Sequence, residues 1–270
     1  MIVSAPASSG NLGPGFDSLG LAFGIMMNVE PGAETLEPAT ERHPALVGFR
    51  TAGGTGPLGW QSKIPPGKGM GFSGASYVAG VAAAYAQQGA DIDDVRDEIW
   101  AQATELEGHP DNAAPSTYGG FTVSAGDTTI EVPIAGDLVA VVWIPAGQVS
   151  TNSSRSTLPE MISHVDATYN VGHAAQLVAA VATGHFERLA RCRDRLHEPY
   201  RLSALPDTAA AVDAALAAGA LTAFLSGSGP CAAALCLRPD ADHVAAALPT
   251  EAADAHVKTL EIGKPVHISG

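Results

Sequence analysis

The chain has 270 residues, 46% of them hydrophobic and 16% charged, which supplies a full core and is too apolar for a disordered or fibrous protein. Its 28 acids against 14 Lys and Arg leave a formal charge of −14, and a surface of that sign repels phosphate backbones and anionic lipids. Nucleic acid and membrane surfaces are therefore not expected partners, whereas a small anion stays accessible because a few local donors outweigh a distant, screened field.

Residues 1–6 lack the charged region and long apolar run of a signal peptide, and no stretch reaches the ~18 apolar residues of a membrane span. Strands are expected over 2–5, 121–125, 129–133 and 138–144, around helices over 74–88 and 93–107. The first helix is small and apolar nearly all round, as a buried helix would be. The segment 30–64 is Gly-, Pro- and Thr-rich with weak periodicity and supports no assignment. Beyond Pro145, i, i+3, i+4 spacing predicts helices over 165–183 and 185–195. A helix over 208–218, strands over 221–225 and 231–236, a helix over 240–247 and a strand over 257–262 follow. The pattern implies an α+β fold of two intertwined lobes, divided as residues 1–148 and 149–270. Cys192, Cys231 and Cys236 are an odd set without metal-ligand spacing, and the histidines form no H-x-x-x-H pair. A reducing cytoplasm and no zinc site are the expectation.

Three glycine-rich segments punctuate this pattern. Residues 6–20, PASSGNLGPGFDSLG, follow a tight path and offer Asn11 and Asp17 to hydroxyl or ammonium groups, or else form an Asx-rich surface turn. Residues 65–76, PPGKGMGFSGAS, feed a helix N-terminus, where backbone N–H groups and the helix dipole favour an oxyanion such as phosphate. Rival motifs cross the same residues. Gly69-x-Gly71-x-x-Gly74 fits a dinucleotide pattern, but Pro65-Pro66 spoils the strand that must precede it. Lys68 lacks the following Ser or Thr of a Walker A loop. Gly71-x-Ser73 opens a nucleophile elbow that Ala75 fails to close, so a hydrolase would need Ser73, a downstream acid and His197. Residues 226–230, SGSGP, either bring backbone to a ligand or make a plain hairpin. Two polar clusters, 107–112 (EGHPDN) and 194–201 (DRLHEPYR), read in isolation as solvated helix ends.

Taken together, these blocks resemble the GHMP kinase superfamily, and most of all its homoserine-kinase branch. Residues 6–20 are similar to the family's PATSANLGPGFDSLG, with Ser8 for Thr and Gly10 for Ala. Residues 65–76 resemble its phosphate loop, with Phe72 for the first serine of a pair and Gly74 for an alanine. Residues 107–115 resemble EGHPDNVAP, followed by Gly119-Gly120. Thr151-x-x-x-Arg155, Leu158-Pro159 and 194–201 resemble blocks particular to the homoserine kinases, and 226–230 resembles their SGAGP.

The resemblance implies an N-terminal lobe like ribosomal protein S5 domain 2 and a ferredoxin-like C-terminal lobe. It implies transfer of the ATP γ-phosphoryl group to the hydroxyl of L-homoserine, with Mg²⁺ carried in on the nucleotide. Pro65, Gly67, Lys68, Gly69, Met70, Gly71, Phe72, Ser73, Gly74 and Ala75 match the phosphate loop, and Ser73 with Glu107 matches the metal site. Asn11 and Asp17 match the residues that hold the amino acid's hydroxyl and ammonium ends, and Arg155 and Arg201 those that fork its carboxylate. Asn112 falls where some relatives carry a catalytic aspartate, so catalysis would rest on positioning. Relatives are often dimers, which makes a homodimer an expected assembly. The segment 30–64 is shorter than in relatives, where it helps form the adenine pocket. A silent relative that binds nucleotide or metabolite without turnover, and a kinase for another hydroxylated metabolite, are the alternatives.

Overall fold

The computed structural model describes residues 1–149, 154–251 and 253–269, so Thr151 lies outside the described residues. Strands β1 (Ile2–Gly10), β2 (Leu19–Pro31), β3 (Glu37–Pro38), β4 (Leu58–Ser62), β5 (Phe121–Ala125) and β6 (Thr128–Val132) build a first, antiparallel sheet. A second antiparallel sheet takes β7 (Leu138–Ile144), β8 (Thr222–Leu225), β9 (Ala232–Leu237) and β10 (His256–Glu261) in the order β10-β7-β9-β8. The strand β11 (His267–Ser269) then returns to the first sheet and pairs with the start of β1, Ile2 opposite Ser269.

The two sheets therefore do not follow the chain as consecutive halves. β7 precedes the expected division yet belongs to the second sheet, and β11 follows it yet belongs to the first. β7 is apolar without interruption because both its faces are covered. Ala140, Val142 and Ile144 enter one core, while Val139, Val141 and Trp143 enter another with Val212, Ala215 and Val244.

Helices α1 (Pro44–Thr51), α2 (Phe72–Gln87), α3 (Arg96–Glu107) and α4 (Pro110–Tyr118) accompany the first sheet, with α2 and α4 directly on β1 and β2. Of the later helices, α5 (His164–Thr183) precedes a 3₁₀ turn over Phe186–Arg191. It is followed by α6 (Glu198–Ser203), α7 (Pro206–Ala217) and α8 (Ala241–Ala247), the last two packed on the second sheet.

Differences from the sequence reading have local causes. β1 runs on to Gly10 because Pro6 sits at a register shift, where a missing N–H costs the ladder little. The helix expected over 185–195 is a 3₁₀ turn, and its apolar residues Phe186, Leu189 and Cys192 recur every three residues, the 3₁₀ period. The unassigned segment 30–64 holds α1 and β4. Helix α4 begins at Pro110, whose missing N–H is no loss in a first turn.

Helix α1 packs tightly on α2 at two glycines. A Cβ on Gly48 would lie 2.8 Å from the Tyr77 carbonyl, and one on Gly80 would collide with the carbonyl of Ala45. In an exposed helix interior, Ala is favoured over Gly by about 1 kcal/mol. Here the sign reverses: Gly80→Ala is expected to lower stability by roughly 1–3 kcal/mol through overpacking, measured by urea unfolding. An unchanged or raised midpoint would show that α1 and α2 are not in this close contact.

Candidate active site

The three glycine-rich segments meet in one place through backbone. The Ser226 hydroxyl donates to the Gly69 carbonyl (2.7 Å) and lies 2.9 Å from the Ser9 hydroxyl, and the Gly227 N–H donates to the Gly10 carbonyl (3.2 Å). The Ser8 N–H donates to the Met70 carbonyl (3.2 Å) and the Cys231 N–H to that of Lys68 (3.3 Å). Gly69 and Gly71 have φ of +73° and +67°, and a Cβ on them would strike Ser226 and Ser8 respectively. Glycine is thus demanded there twice over, by backbone conformation and by space.

These contacts frame a cleft of about 160 Å³ whose lining includes Asn11, Asp17, Ser73, Glu107, Asp111, Asn112, Arg155 and Arg201. Gly67, Lys68, Gly69, Met70, Gly71 and Phe72 line it as well, whereas Pro65, Gly74 and Ala75 do not. Gly74 serves packing: its Cα faces the carbonyl of Asn112, from which an added Cβ would be 3.1 Å away.

At the loop end of the cleft, Ser73 lies in the first turn of α2 and Glu107 ends α3. The Ser73 hydroxyl is near enough to the Glu107 carboxyl to favour its ionised form, but burial raises the carboxyl's pKa by more. An oxyanion here meets the N-terminus of α2, with its dipole and free N–H groups. Lys68 departs from the expectation. Its ammonium is buried and donates to the carbonyls of Pro145, Ala146 and Gly147, which uses its three N–H groups and leaves none for a phosphate. Phe72 turns its ring to Trp60 (6.1 Å) and His43 (5.8 Å), an aromatic group supplied by the segment 30–64.

At the other end, Asp17 accepts from Arg155 Nη2 at 2.8 and 3.0 Å. Asn11 spends both ends of its amide on backbone, Nδ2 to the Gly227 carbonyl (2.9 Å) and Oδ1 from the Asp17 N–H (3.0 Å). It joins two loops with one of its two amide N–H groups, and the other N–H is not used by these bonds. Arg201 is nearly inaccessible and its Nε has no partner. Asp194, His197 and Glu198 are buried too, while Arg195, Pro199 and Tyr200 are exposed, so 194–201 is only in part the solvated helix end that isolated charges suggest. Asp194 Oδ2 accepts from the N–H groups of His197 (2.8 Å) and Glu198 (2.7 Å), capping α6, and Glu198 Oε1 accepts from the Leu225 N–H (2.7 Å), tying α6 to β8.

Asp111, which sequence reasoning quoted within a motif but did not select, is the conspicuous acid of the cleft. It is 2% exposed, its Oδ1 has no partner, and burial, with the nearby Asp17 charge, lifts its pKa to about 7. Its Oδ2 and the Asn112 Oδ1 both approach Gly10, where a Cβ would lie 2.5 and 2.6 Å from them. The hydrolase arrangement is absent: Ser73 neighbours Glu107, while His197 is fully buried with Nε2 on the Gly13 carbonyl (2.8 Å). Among the described residues no three His, Cys, Asp or Glu are grouped to hold a metal, and the three cysteines are free and buried. No helix among the described residues is long and apolar enough to cross a membrane.

Comparison with known proteins agrees with this geometry. The profile of the GHMP kinases N terminal domain matches residues 41–120, and that of the GHMP kinases C terminal region matches 177–254. A homoserine kinase of Streptomyces avermitilis is 40% identical over 90% of this chain and 88% of that protein, and one of Thermus thermophilus is 37% identical over 85% of each. The crystal structure of homoserine kinase from Cytophaga hutchinsonii superposes with a TM-score of 0.84 at 26% identity, covering 99% of this chain and 97% of that one. The crystal structure of L. major mevalonate kinase in complex with R-mevalonate shares the fold at TM-score 0.67 and 17% identity, over 97% of this chain and 95% of that one.

The raised carboxyl of Asp111 has a measurable cost. A carboxyl whose folded-state pKa exceeds its unfolded value stabilises the fold fully only below the unfolded value, and that contribution disappears as pH rises through about 7. Asp111→Asn is therefore expected to raise the thermal midpoint at pH 8 by several degrees over wild type, and by much less at pH 5. Equal differences at the two pH values would mean that Asp111 is not a desolvated acid.

Proposed function

Because the chain belongs to the GHMP kinase family, we propose that it transfers the γ-phosphoryl group of ATP to the side-chain hydroxyl of L-homoserine, giving O-phospho-L-homoserine for threonine biosynthesis. The observation that carries this reading is the convergence of Arg155 and Arg201, from the second half of the chain, on the cleft that the glycine loop and Asp17 form in the first. An amino acid with a free carboxylate and ammonium matches that set of charges.

In this reading the loop 67–73 and the N-terminus of α2 receive the nucleotide phosphates, with backbone N–H groups acting in place of Lys68, whose ammonium is engaged elsewhere. Ser73 and Glu107 offer oxygen donors only, and two of them suit Mg²⁺ that arrives on phosphate oxygens better than a caged resident ion. When bound, Mg²⁺ supplies charge neutralisation at the transferring phosphoryl group. Arg155 and Arg201 fork the acceptor's carboxylate, and Asp17 and Asp111 face its ammonium. Asn112 holds the hydroxyl in line; an amide is not a base, and the loose transition state of phosphoryl transfer asks mainly for alignment and charge stabilisation. The Asp17–Arg155 pair keeps the two recognition charges in register when no zwitterion spans them.

Purified protein with ATP, Mg²⁺ and L-homoserine is expected to release ADP and yield a phosphorylated amino acid, and a background rate would sink the substrate assignment. Arg201→Ala is expected to raise KM for L-homoserine by about 10-fold or more while KM for ATP moves by no more than about 2-fold. Equal effects on both would argue against carboxylate recognition.

A further inference from the structure

Phe16 lies in the first glycine-rich segment, between Gly15 and Asp17, and no part of the reading above uses its side chain. Its ring is nonetheless the common neighbour of the cationic end of the cleft. The guanidinium carbon of Arg201 lies 5.3 Å from the ring centroid, and that of Arg155 lies 5.5 Å from the same centroid. The imidazole of His197 stacks on the ring at 5.1 Å with 22° between planes.

These contacts are linked by hydrogen bonds that remove the freedom of each member. His197 Nε2 donates to the Gly13 carbonyl (2.8 Å), in the loop that carries Phe16, which leaves Nδ1 to accept from Arg201 Nη1 (3.3 Å). Among the described residues Arg155 is held by Asp17, and Arg201 has no carboxylate within ion-pair distance. Nε of both arginines is buried without a partner. Two guanidiniums brought near one another repel, and Arg155 indeed opposes the charge on Arg201. Asp17, bonded to Arg155, also attracts Arg201, and a substrate carboxylate between the two would relieve the repulsion further; the negative face of the Phe16 ring is the uncharged surface that both guanidiniums approach.

We propose that Phe16 is a positioning residue that sets the separation and orientation of the Arg155–Arg201 pair, and thereby the protein's requirement for a carboxylate on its acceptor. The proposal rests on the kinase reading for the identity of the acceptor, and on the ring geometry for the role of Phe16. An aliphatic side chain of similar size fills the same space and lacks the π face; Tyr and Trp keep it.

The test compares Phe16→Leu and Phe16→Met with Phe16→Tyr and Phe16→Trp, using L-homoserine and the amino diol in which its carboxylate is reduced to an alcohol. The aliphatic variants are expected to raise KM for L-homoserine by about 5- to 20-fold, with kcat, KM for ATP and KM for the amino diol within about 2-fold of wild type. At least one aromatic variant is expected to stay within about 3-fold for L-homoserine. An unchanged KM in the aliphatic variants overturns the proposal. So does a matching loss with ATP or the amino diol, which a merely loosened loop would produce, and so does failure of both aromatic variants. Calorimetric titration of L-homoserine into wild type separates this claim from the assignment of activity. Binding without phosphoryl transfer refutes the kinase reading, while affinities across the same variants still judge Phe16; absence of L-homoserine binding refutes both.

Discussion

Everything at the cleft depends on three backbone segments approaching one another with nothing between them. Ser8–Gly10, Gly69–Gly71 and Ser226–Gly229 come from distant parts of the chain and meet carbonyl to N–H or carbonyl to hydroxyl. A side chain at Gly69 or Gly71 would wedge the seam apart, which is a stronger demand than a positive φ alone. The seam fixes where α2 begins, and thus where its free N–H groups point. It also fixes Gly227, whose carbonyl takes the Asn11 amide and lies 3.4 Å from Arg201 Nη1. Both ends of the cleft are aligned by the same contact.

The electrostatics follow from that geometry. A chain with a formal charge of −14 must attract a polyanionic nucleotide and the carboxylate of a zwitterionic acceptor, and it gathers few cations to do so. Lys68 is spent on three carbonyls, so the loop end relies on backbone dipoles. The other end concentrates its charge in two arginines, one of them desolvated by burial, where a guanidinium acts with less screening than at the surface. Beside them Asp111 supplies the opposite sign from an equally dry position. Discrimination in such a site comes from the expense of leaving a buried charge without its partner.

Much of this was legible in the sequence, for reasons that differ residue by residue. Helix α2 could be read because its apolar character continues on every side, and β7 because both its faces are buried. Ser73 with Glu107, and Arg155 with Arg201, could be paired only through the resemblance, since no spacing rule links residues so far apart. What escaped was decided by tertiary context. Lys68 looks like a phosphate ligand until the chain at 145–147 folds over it. Asp111 looks like a helix-capping acid until α4 and β1 bury it, and Phe16 looks like one more apolar residue until three cationic or imidazole groups surround it. The segment 30–64 resisted reading because α1 is short and its register depends on glycine contacts with α2.

The pairing of β11 with β1 bears on how the molecule is made. Ser4 and Ser269 share a 2.6 Å hydroxyl contact while lying 265 residues apart in sequence, and β1 carries the first glycine-rich segment at its far end. The strand that supports one wall of the cleft therefore gains its outer neighbour only after almost the entire intervening chain has been synthesised. Contacts of such high sequence separation are entropically late, because the loop they close must be ordered before they repay it. Assembly of the cleft is in this sense a late event in folding, and a ribosome-bound chain that lacks residues 267–269 presents an open edge along the start of β1.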